Sequence, residues 1–588
     1  MWGLGFSRGS AEVLERLRQA GIVQAVAGWA ASPSASETLR GHWQEASAFV
    51  VVGATGLVTR LVAPLLSDKH SDPAVVVVDP AGRFAVPLLG GHAAGADQLS
   101  QRVAALLGGT AVLTGASAGS GRLTLDAFGA AWGWRRGAGD WNALMQRAAE
   151  GGAIPIRQEQ GCILWRQLPA AGALALATAG PGQPAALVVS CRLGPGCRWH
   201  PPVLWLGLGC ERGTSLELLE RLVESTLAEL QLAPAAVAGL ASASRKADEA
   251  ALLALARQHG WPLRLFAAEA LAARAVPNPS AAVAAAMGTP SVAEAAALLA
   301  AGSGAGLLLP KRIEHRRSAE RGAATLAIAE ASGQWAPQRG HLHLVGSGPG
   351  RLDLLTPDAR EALARCTVWV GYGPYLDLLE PLRRPDQLRC DGRLTEERDR
   401  CAQALELAGQ GLPVALVSSG DSGIYAMAGL ALELWLQQPA EDRPAFSVHP
   451  GISALQLAAA RAGAPLMHDF CTVSLSDRLT PWGVIEQRLK AAASGDFVVA
   501  LYNPRSRERH WQLAQARAIL LGGRSADTPV AVCRQLGRHG EEVRLHTLAS
   551  LPVEEVDMLT VVLVGNSSTY VQDGRMVTPR GYPGAPLA

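Results

Sequence analysis

His341-Leu-His-Leu-Val-Gly346-Ser-Gly348-Pro349-Gly350 reads as a buried strand running straight into a glycine-rich turn. The apolar run predicts extended backbone over 341–345, and the glycines at its end let main chain approach a ligand or another turn closely. As a dinucleotide fingerprint the stretch fails. Arg351 stands where a glycine is needed, and the next predicted strand, 367–371, ends in Gly-Tyr without the acid that would hold a ribose. The same device of strand and small-residue turn recurs at Ser418-Ser-Gly420-Asp421-Ser422-Gly423-Ile424-Tyr425, His449-Pro450-Gly451-Ile-Ser453-Ala454, Leu501-Tyr502-Asn503-Pro504 and Val564-Gly565-Asn566-Ser567-Ser568.

Upstream, short Val/Leu runs alternate with alanine-rich helical stretches and Gly/Pro turns, which argues for several α/β units. Strands are predicted at 48–52, 74–79 and 84–89, a helix near 55–65, and another over 96–107 after Gly90-Gly91-His92. The block 125–190 has a weak pattern of its own. Pro201-Pro202 precedes a strand at 203–208 and a helix over 216–230, and 332–340, containing Gly, Pro and Gln, reads as a linker. The expected division is 1–47 without assignment, α/β or related units at 48–120, 121–200 and 201–330, a linker at 331–340, a unit at 341–575 with lobes about 341–450 and 451–575, and a tail at 576–588.

A chain of 588 residues with 49% hydrophobic and 18% charged residues suits several globular domains, and a net charge of +2 gives no basic field for nucleic acid. Nine cysteines without a C-x-x-C pair or an H-E-x-x-H neighbourhood predict no protein-bound metal and fit a reducing compartment. The first residues lack a signal-peptide pattern and no long apolar run follows, so the expectation is a cytoplasmic protein without a membrane partner.

In their order and spacing the five small-residue turns resemble the tetrapyrrole methylases, and most of all the precorrin-3B C17-methyltransferase type, over about 341–575. The resemblance implies a two-lobed class III methyltransferase fold, S-adenosylmethionine (SAM) in the cleft, a macrocycle over the trough, and a homodimer through this domain. Cobalt enters only as part of the substrate. Implied donor or macrocycle contacts are Gly346, Gly348, Pro349, Gly350, Gly420, Asp421, Ser422, Gly423, Ile424, Tyr425, Gly451, Ser453, Ala454, Tyr502, Asn503, Gly565 and Asn566. Asp421 either contacts donor or substrate or caps a helix starting near Ile424. Tyr502 and Asn503 either touch the cofactor or pack and turn the chain. His449, His468 and Asp469 are candidate proton carriers for ring contraction.

Gly56-Leu-Val-Thr-Arg60, Lys69-His-Ser-Asp72-Pro73, Gly82-Arg83, Gly90-Gly91-His92, Gly209-Cys210-Glu-Arg212-Gly213, Lys246-Ala-Asp248-Glu249, Val276-Pro277-Asn278-Pro279 and Leu309-Pro310-Lys311 resemble cobalt-precorrin-5A hydrolase over about 48–330. That family opens a lactone on a cobalt-bearing tetrapyrrole and releases acetaldehyde. The resemblance implies carboxylate binding by Arg60, Gly90, Gly91, Arg212, Lys246 and Lys311, with Arg83 nearby, and a base at His92 or Glu249, or less favourably Asp248. Cys210 is a candidate nucleophile if its turn lowers its pKa. One departure stands out, since Thr114-Gly-Ala-Ser-Ala replaces the family's Thr-Thr-acid. The implied whole is a bifunctional enzyme of cobalamin (vitamin B12) biosynthesis. The alternative is an N-terminal half that only carries tetrapyrroles.

Overall fold

The computed structural model describes residues 1–67, 71–91, 94–113, 122–180, 183–317, 319–393, 395–506 and 508–582. Among these residues five larger α/β sheets follow one another along the chain, with a short three-stranded sheet near the end. No helix among them is long and apolar enough to cross a membrane.

The first sheet has six strands in the order Ala25–Ala27, Trp2–Gly5, Ala48–Val52, Ala74–Val78, Phe84–Leu89 and Thr110–Ala111. Ala48–Val52 and Ala74–Val78 are buried at every position, as expected of β-branched runs covered on both faces. Residues 1–47, which the sequence left outside any domain, supply two strands: Trp2–Gly5 pairs in parallel with Phe49 to Val52. Their shortness hides them, because runs of three or four residues carry too little periodicity to read.

The second sheet orders Arg135–Arg136, Cys197–His200, Leu187–Val189, Ile154–Gln158 and Leu176–Thr178. The third orders Leu263–Phe266, Val237–Ala243, Leu204–Cys210, Ala323–Glu330 and Gly306–His315, and its last two strands are antiparallel to their neighbours.

The second unit shares a hydrophobic core with the first lobe of the C-terminal domain. Trp132, Trp165 and Trp199 belong to the same buried cluster as Leu342, Leu344, Val414 and Leu416. The predicted linker is part of this junction. Gln334, only 6% exposed, accepts from Trp134 Nε1 (2.7 Å) and donates to the carbonyls of Trp132 and Gln410 (2.7 Å each). Cys162 N donates to it as well (3.0 Å), and a glutamine amid Ser, Gly and Trp reads as solvated until these four partners, none within 70 residues of it, are in place.

The C-terminal domain has two lobes. In the first, Leu388–Gly392, Val368–Tyr372, Pro413–Ser418, His341–Gly346 and Ala445–His449 lie side by side, all parallel. The second is mixed, ordered Phe470–Ser474, Val498–Tyr502, Thr560–Val564, Pro529–Arg534 and Glu542–Thr547. The domain runs past 575, because Arg575–Val577 pairs with Gly463–Ala464, and Met576 and Thr578 are fully buried.

Candidate functional site

Three parallel strands of the first lobe end together, and their turns meet main chain to main chain. Ser347 N donates to Ser418 O (2.8 Å), and Gly348 and Gly420 exchange N–H bonds (3.0 and 2.8 Å). A Cβ on Gly451 would sit 2.1 Å from Gly420 O and 2.6 Å from Gly346 O, so only glycine allows the third turn to close on the other two. Asp421 ties the cluster together by accepting from Gly423 N (2.8 Å) and Gly451 N (3.1 Å). It caps no helix at Ile424, since the helix Ala428–Gln437 starts four residues later. The competing main-chain donors of its own turn and of the Pro450–Gly451 turn claim the carboxylate instead.

Tyr425 takes a left-handed conformation (φ 51°) and reaches the second lobe, where its hydroxyl donates to Thr472 O (3.0 Å). Its ring centroid lies 5.1 Å from that of Tyr502, whose hydroxyl accepts from Leu455 N (2.9 Å). Burial pushes the Tyr502 phenol up. Ser453 caps the helix Ala454–Ala462 in a reciprocal box with Gln456, and Asn503, also left-handed (φ 49°), donates to Ser474 Oγ (3.1 Å). Gly346, Gly348, Gly420, Asp421, Ser422, Gly423, Ile424, Tyr425, Gly451, Ser453, Ala454 and Tyr502 thus lie on contiguous turns around one cleft. Pro349 and Gly350 form its seam with the second lobe: Gly537 packs on Pro349, and Arg538 donates to Pro349 O (3.2 Å) while its guanidinium lies 5.6 Å from the Tyr375 ring.

Arg538 escaped the sequence reading although Gly537 and Gly540 follow the strand Pro529–Arg534 in the same strand-and-turn manner. Ser418 and Ser422 gain importance too. Among the described residues their hydroxyls are buried without a hydrogen-bond partner.

Other expected residues fall elsewhere. Gly565 and Asn566 sit at the far end of the second sheet from Tyr502, because the antiparallel register pairs Val564 with Val499 and Val562 with Leu501. Their turn is closed by its own side chains, with Thr569 Oγ1 accepting from Asn566 N (2.9 Å). His468 and Asp469 precede the strand Phe470–Ser474, again the end opposite Tyr502. His449 is buried, and both ring nitrogens are engaged, Nε2 by His343 Nδ1 (3.0 Å) and Nδ1 by Asp358 (2.8 Å). With Asp358 accepting, His449 carries its proton on Nδ1 and accepts from His343, which leaves no ring nitrogen to serve a substrate. Burial, with help from His341 and His449, pushes the His343 imidazole down to about 3.

In the N-terminal half the nominated groups are divided between two sheets. Gly90 and Gly91 follow Phe84–Leu89 and wind into the helix Ala96–Leu107, with Gly90 O accepting from Ala96 N (3.1 Å) and Gly91 O from Asp97 N (3.0 Å). His92, like Lys69 and the Thr114 to Ala118 departure, lies outside the described residues. Arg60 bonds its own helix at Gly56 O (2.9 Å), and exposed Arg83 pairs with Asp79 (3.4 Å). A cavity of about 360 Å³ opens beside the ends of Ala48–Val52 and Ala74–Val78, lined by Gly53, Thr55, Asp79, Phe84 and Val112 among others.

On the third sheet Arg212 pairs with exposed Asp248. Glu249, 3% exposed, accepts from Gly213 N (2.9 Å) and faces the buried Lys246 ammonium (3.5 Å), so it anchors a turn. Cys210 departs from expectation, because burial pushes its thiol up to about 11 and outweighs the nearby cations. Lys311 donates to Asn278 O (2.9 Å). The same loop is held by Glu294, fully buried and accepting from Asn278 N, Asn278 Nδ2 and Lys311 N. In sequence Glu294 looks like an ordinary first-turn acid.

Three family models match the chain: Tetrapyrrole (Corrin/Porphyrin) Methylases over 341–552, Cobalamin synthesis G N-terminal over 37–118, and Cobalamin synthesis G C-terminus over 204–329. A probable cobalt-factor III C(17)-methyltransferase of Salmonella typhimurium is 49% identical over 241 residues, covering 41% of this chain and 99% of its own. A precorrin-3B C(17)-methyltransferase of a Sinorhizobium species is 43% identical over 252 residues, covering 42% of this chain and 98% of its own. Among solved structures, the methyltransferase CobJ shares 39% identity, covers 41% of this chain and all of its own, and superposes with a TM-score of 0.39.

Proposed function

We propose that this chain, which belongs to the tetrapyrrole (corrin/porphyrin) methylases and carries cobalamin synthesis G regions ahead of its methylase domain, is a bifunctional enzyme of cobalamin biosynthesis. Its C-terminal half methylates C17 of a precorrin-3-level macrocycle during ring contraction. Its N-terminal half opens the cobalt-precorrin-5A lactone and releases acetaldehyde. The carrying observation is 49% identity over 241 residues, spanning 99% of the probable cobalt-factor III C(17)-methyltransferase of Salmonella. A hydrolase of this type belongs to an early-cobalt route, which favours a cobalt-bearing acceptor. All nine cysteines are free thiols, in keeping with cytoplasmic work.

The residues of the cleft fit SAM. Buried hydroxyls of Ser418 and Ser422, without partners among the described residues and set on the turn that carries Gly420, supply hydrogen-bonding groups for its polar atoms. SAM bound there supplies a methyl on a sulfonium for displacement at a ring carbon. Asp421 holds the Gly423 and Gly451 turns in one geometry, so positioning precedes binding. The Tyr425–Tyr502 pair and Arg538 bridge the lobes. Leu432 and Leu436, exposed one turn apart on the helix Ala428–Gln437, and Val448, exposed on the edge strand Ala445–His449, are apolar surface that a homodimer would cover.

One observation favours the carrier reading for the N-terminal half: Glu249 is committed to Lys246 and Gly213, and the Cys210 thiol is raised. The deciding experiment uses the full chain, because cutting near 335 would open the core shared with residues 123–199. Labelled SAM and cobalt-factor III should yield a product with label at C17, and cobalt-precorrin-5A should yield acetaldehyde. Label at another carbon defeats the methylase assignment, and stoichiometric binding without acetaldehyde turns the first half into a carrier.

A further inference from the structure

The first sheet and the methylase domain touch through two helices, Ala96–Leu107 and Pro357–Arg365. At this contact lies a cavity of about 300 Å³, lined by Ser47, Gln98, Arg102 and Arg365 among others. That volume is at the lower end of the roughly 300–1,000 Å³ of small-molecule sites. Its charges do not balance. Glu361 Oε1 accepts from both Arg102 Nε (3.4 Å) and Arg365, so two guanidiniums share one carboxylate. Arg102 is partly withdrawn from water, its side chain 24% exposed, and Nε is its one nitrogen with a protein acceptor among the described residues. Burial first, and then repulsion from Arg365, weakens the hold of Arg102 on its proton, against the pull of Glu361. Arg365 also bears on the neutral-leaning His341 and His343, which add no negative charge.

An ion pair that merely fastened the two domains would need one arginine. A second guanidinium, desolvated beside an open polar cavity, costs free energy unless an anion joins it. We propose that Arg102 and Arg365 form an interdomain site for a small oxyanion of the phosphate or carboxylate class, with Glu361 setting its affinity. Forked N–H donors from two sides suit two oxygens of one such group. The anion has two sources of the same chemistry, free phosphate or a peripheral carboxylate of a tetrapyrrole, and only the second rests on the function proposed above. Filling the site would lock the glycine turn at Gly90–Gly91, from which the helix Ala96–Leu107 springs, against the methylase lobe.

The test titrates inorganic phosphate into the full chain at constant ionic strength, read by calorimetry and by thermal unfolding. The wild type should bind saturably. Arg102→Gln should weaken binding by about tenfold or more, and Glu361→Gln, which removes the competing carboxylate, should tighten it by about threefold or more. Loss of folding cannot produce those opposite changes. No saturable binding, equal binding by wild type and Arg102→Gln, or no gain in Glu361→Gln overturns the site. Uroporphyrin, a polycarboxylate macrocycle, identifies the source: competition with phosphate assigns the anion to the macrocycle, and independent phosphate binding assigns it to the free ion.

Discussion

The methylase cleft and the G-type third sheet were both nominated from turns and charged groups, and folding treats them differently. In the cleft, Gly346, Gly348, Gly420 and Gly451 meet through main-chain contacts, and Asp421 spends its carboxylate on holding them. On the third sheet, Arg212 is taken by Asp248 and Lys246 by Glu249, so much of the charge expected to meet substrate is already answered within the protein. A glycine turn carries its geometry in its own backbone, whereas a charged side chain belongs to whichever opposite charge the fold brings nearest.

Gly451→Ala should break the comparison most sharply. Its Cβ would overlap two carbonyl oxygens, so donor affinity, measured by calorimetry with S-adenosyl homocysteine, should fall by more than about 100-fold and stability by about 3 kcal/mol. Gly213→Ala, where nothing lies within 4 Å but φ is +73°, should cost only about 1 kcal/mol. Equal effects would mean that the cleft glycines are ordinary turn residues.

Glu249→Gln leaves Lys246 buried without its counter-charge and should lower stability in urea by about 3 kcal/mol. A change below about 0.5 kcal/mol would return Glu249 to the list of free bases. His343 tests the other side. Its imidazole is near 3 when folded and near 6.5 when unfolded, so between those values the unfolded chain binds the extra proton. Its contribution is complete above about pH 6.5 and is lost as pH falls towards 3, at up to about 1.4 kcal/mol per pH unit. The slope between pH 6.5 and 5 should flatten in His343→Gln; an unchanged slope would remove the buried histidine pair from the account.

Asp421→Asn keeps one acceptor oxygen and should weaken donor binding by about tenfold while leaving the fold intact. The smallest effect is expected at the exposed Arg212–Asp248 pair, where Asp248→Asn should leave the unfolding midpoint unchanged. A clear loss there would show that the surface pair is worth more than its exposure allows.

Much of the fold was legible. The helix Ala96–Leu107 occupies the predicted residues, and the strands at 48–52, 84–89 and 341–346 fall within one residue of expectation, because long apolar runs bounded by glycine or proline state their own limits. Gly565 and Asn566 show where this stops: their turn looks like the others, yet an antiparallel register carries it to the end of the sheet opposite Tyr502. Arg538 shows the reverse. It is an unremarked loop arginine until Pro349 and Tyr375 arrive from the opposite lobe.

By itself the sequence determined the α/β alternation, the run of glycine turns and the family they spell, since these depend on residues close together in the chain. Tertiary structure alone decided that Gln334 is a buried clamp, that the tryptophan-rich middle shares a core with the methylase lobe, and that Arg102 comes across a domain junction to the carboxylate that Arg365 already holds. The reason is physical. Backbone conformation is a local preference, but burial and charge pairing are energies between groups that the chain separates by tens to hundreds of residues.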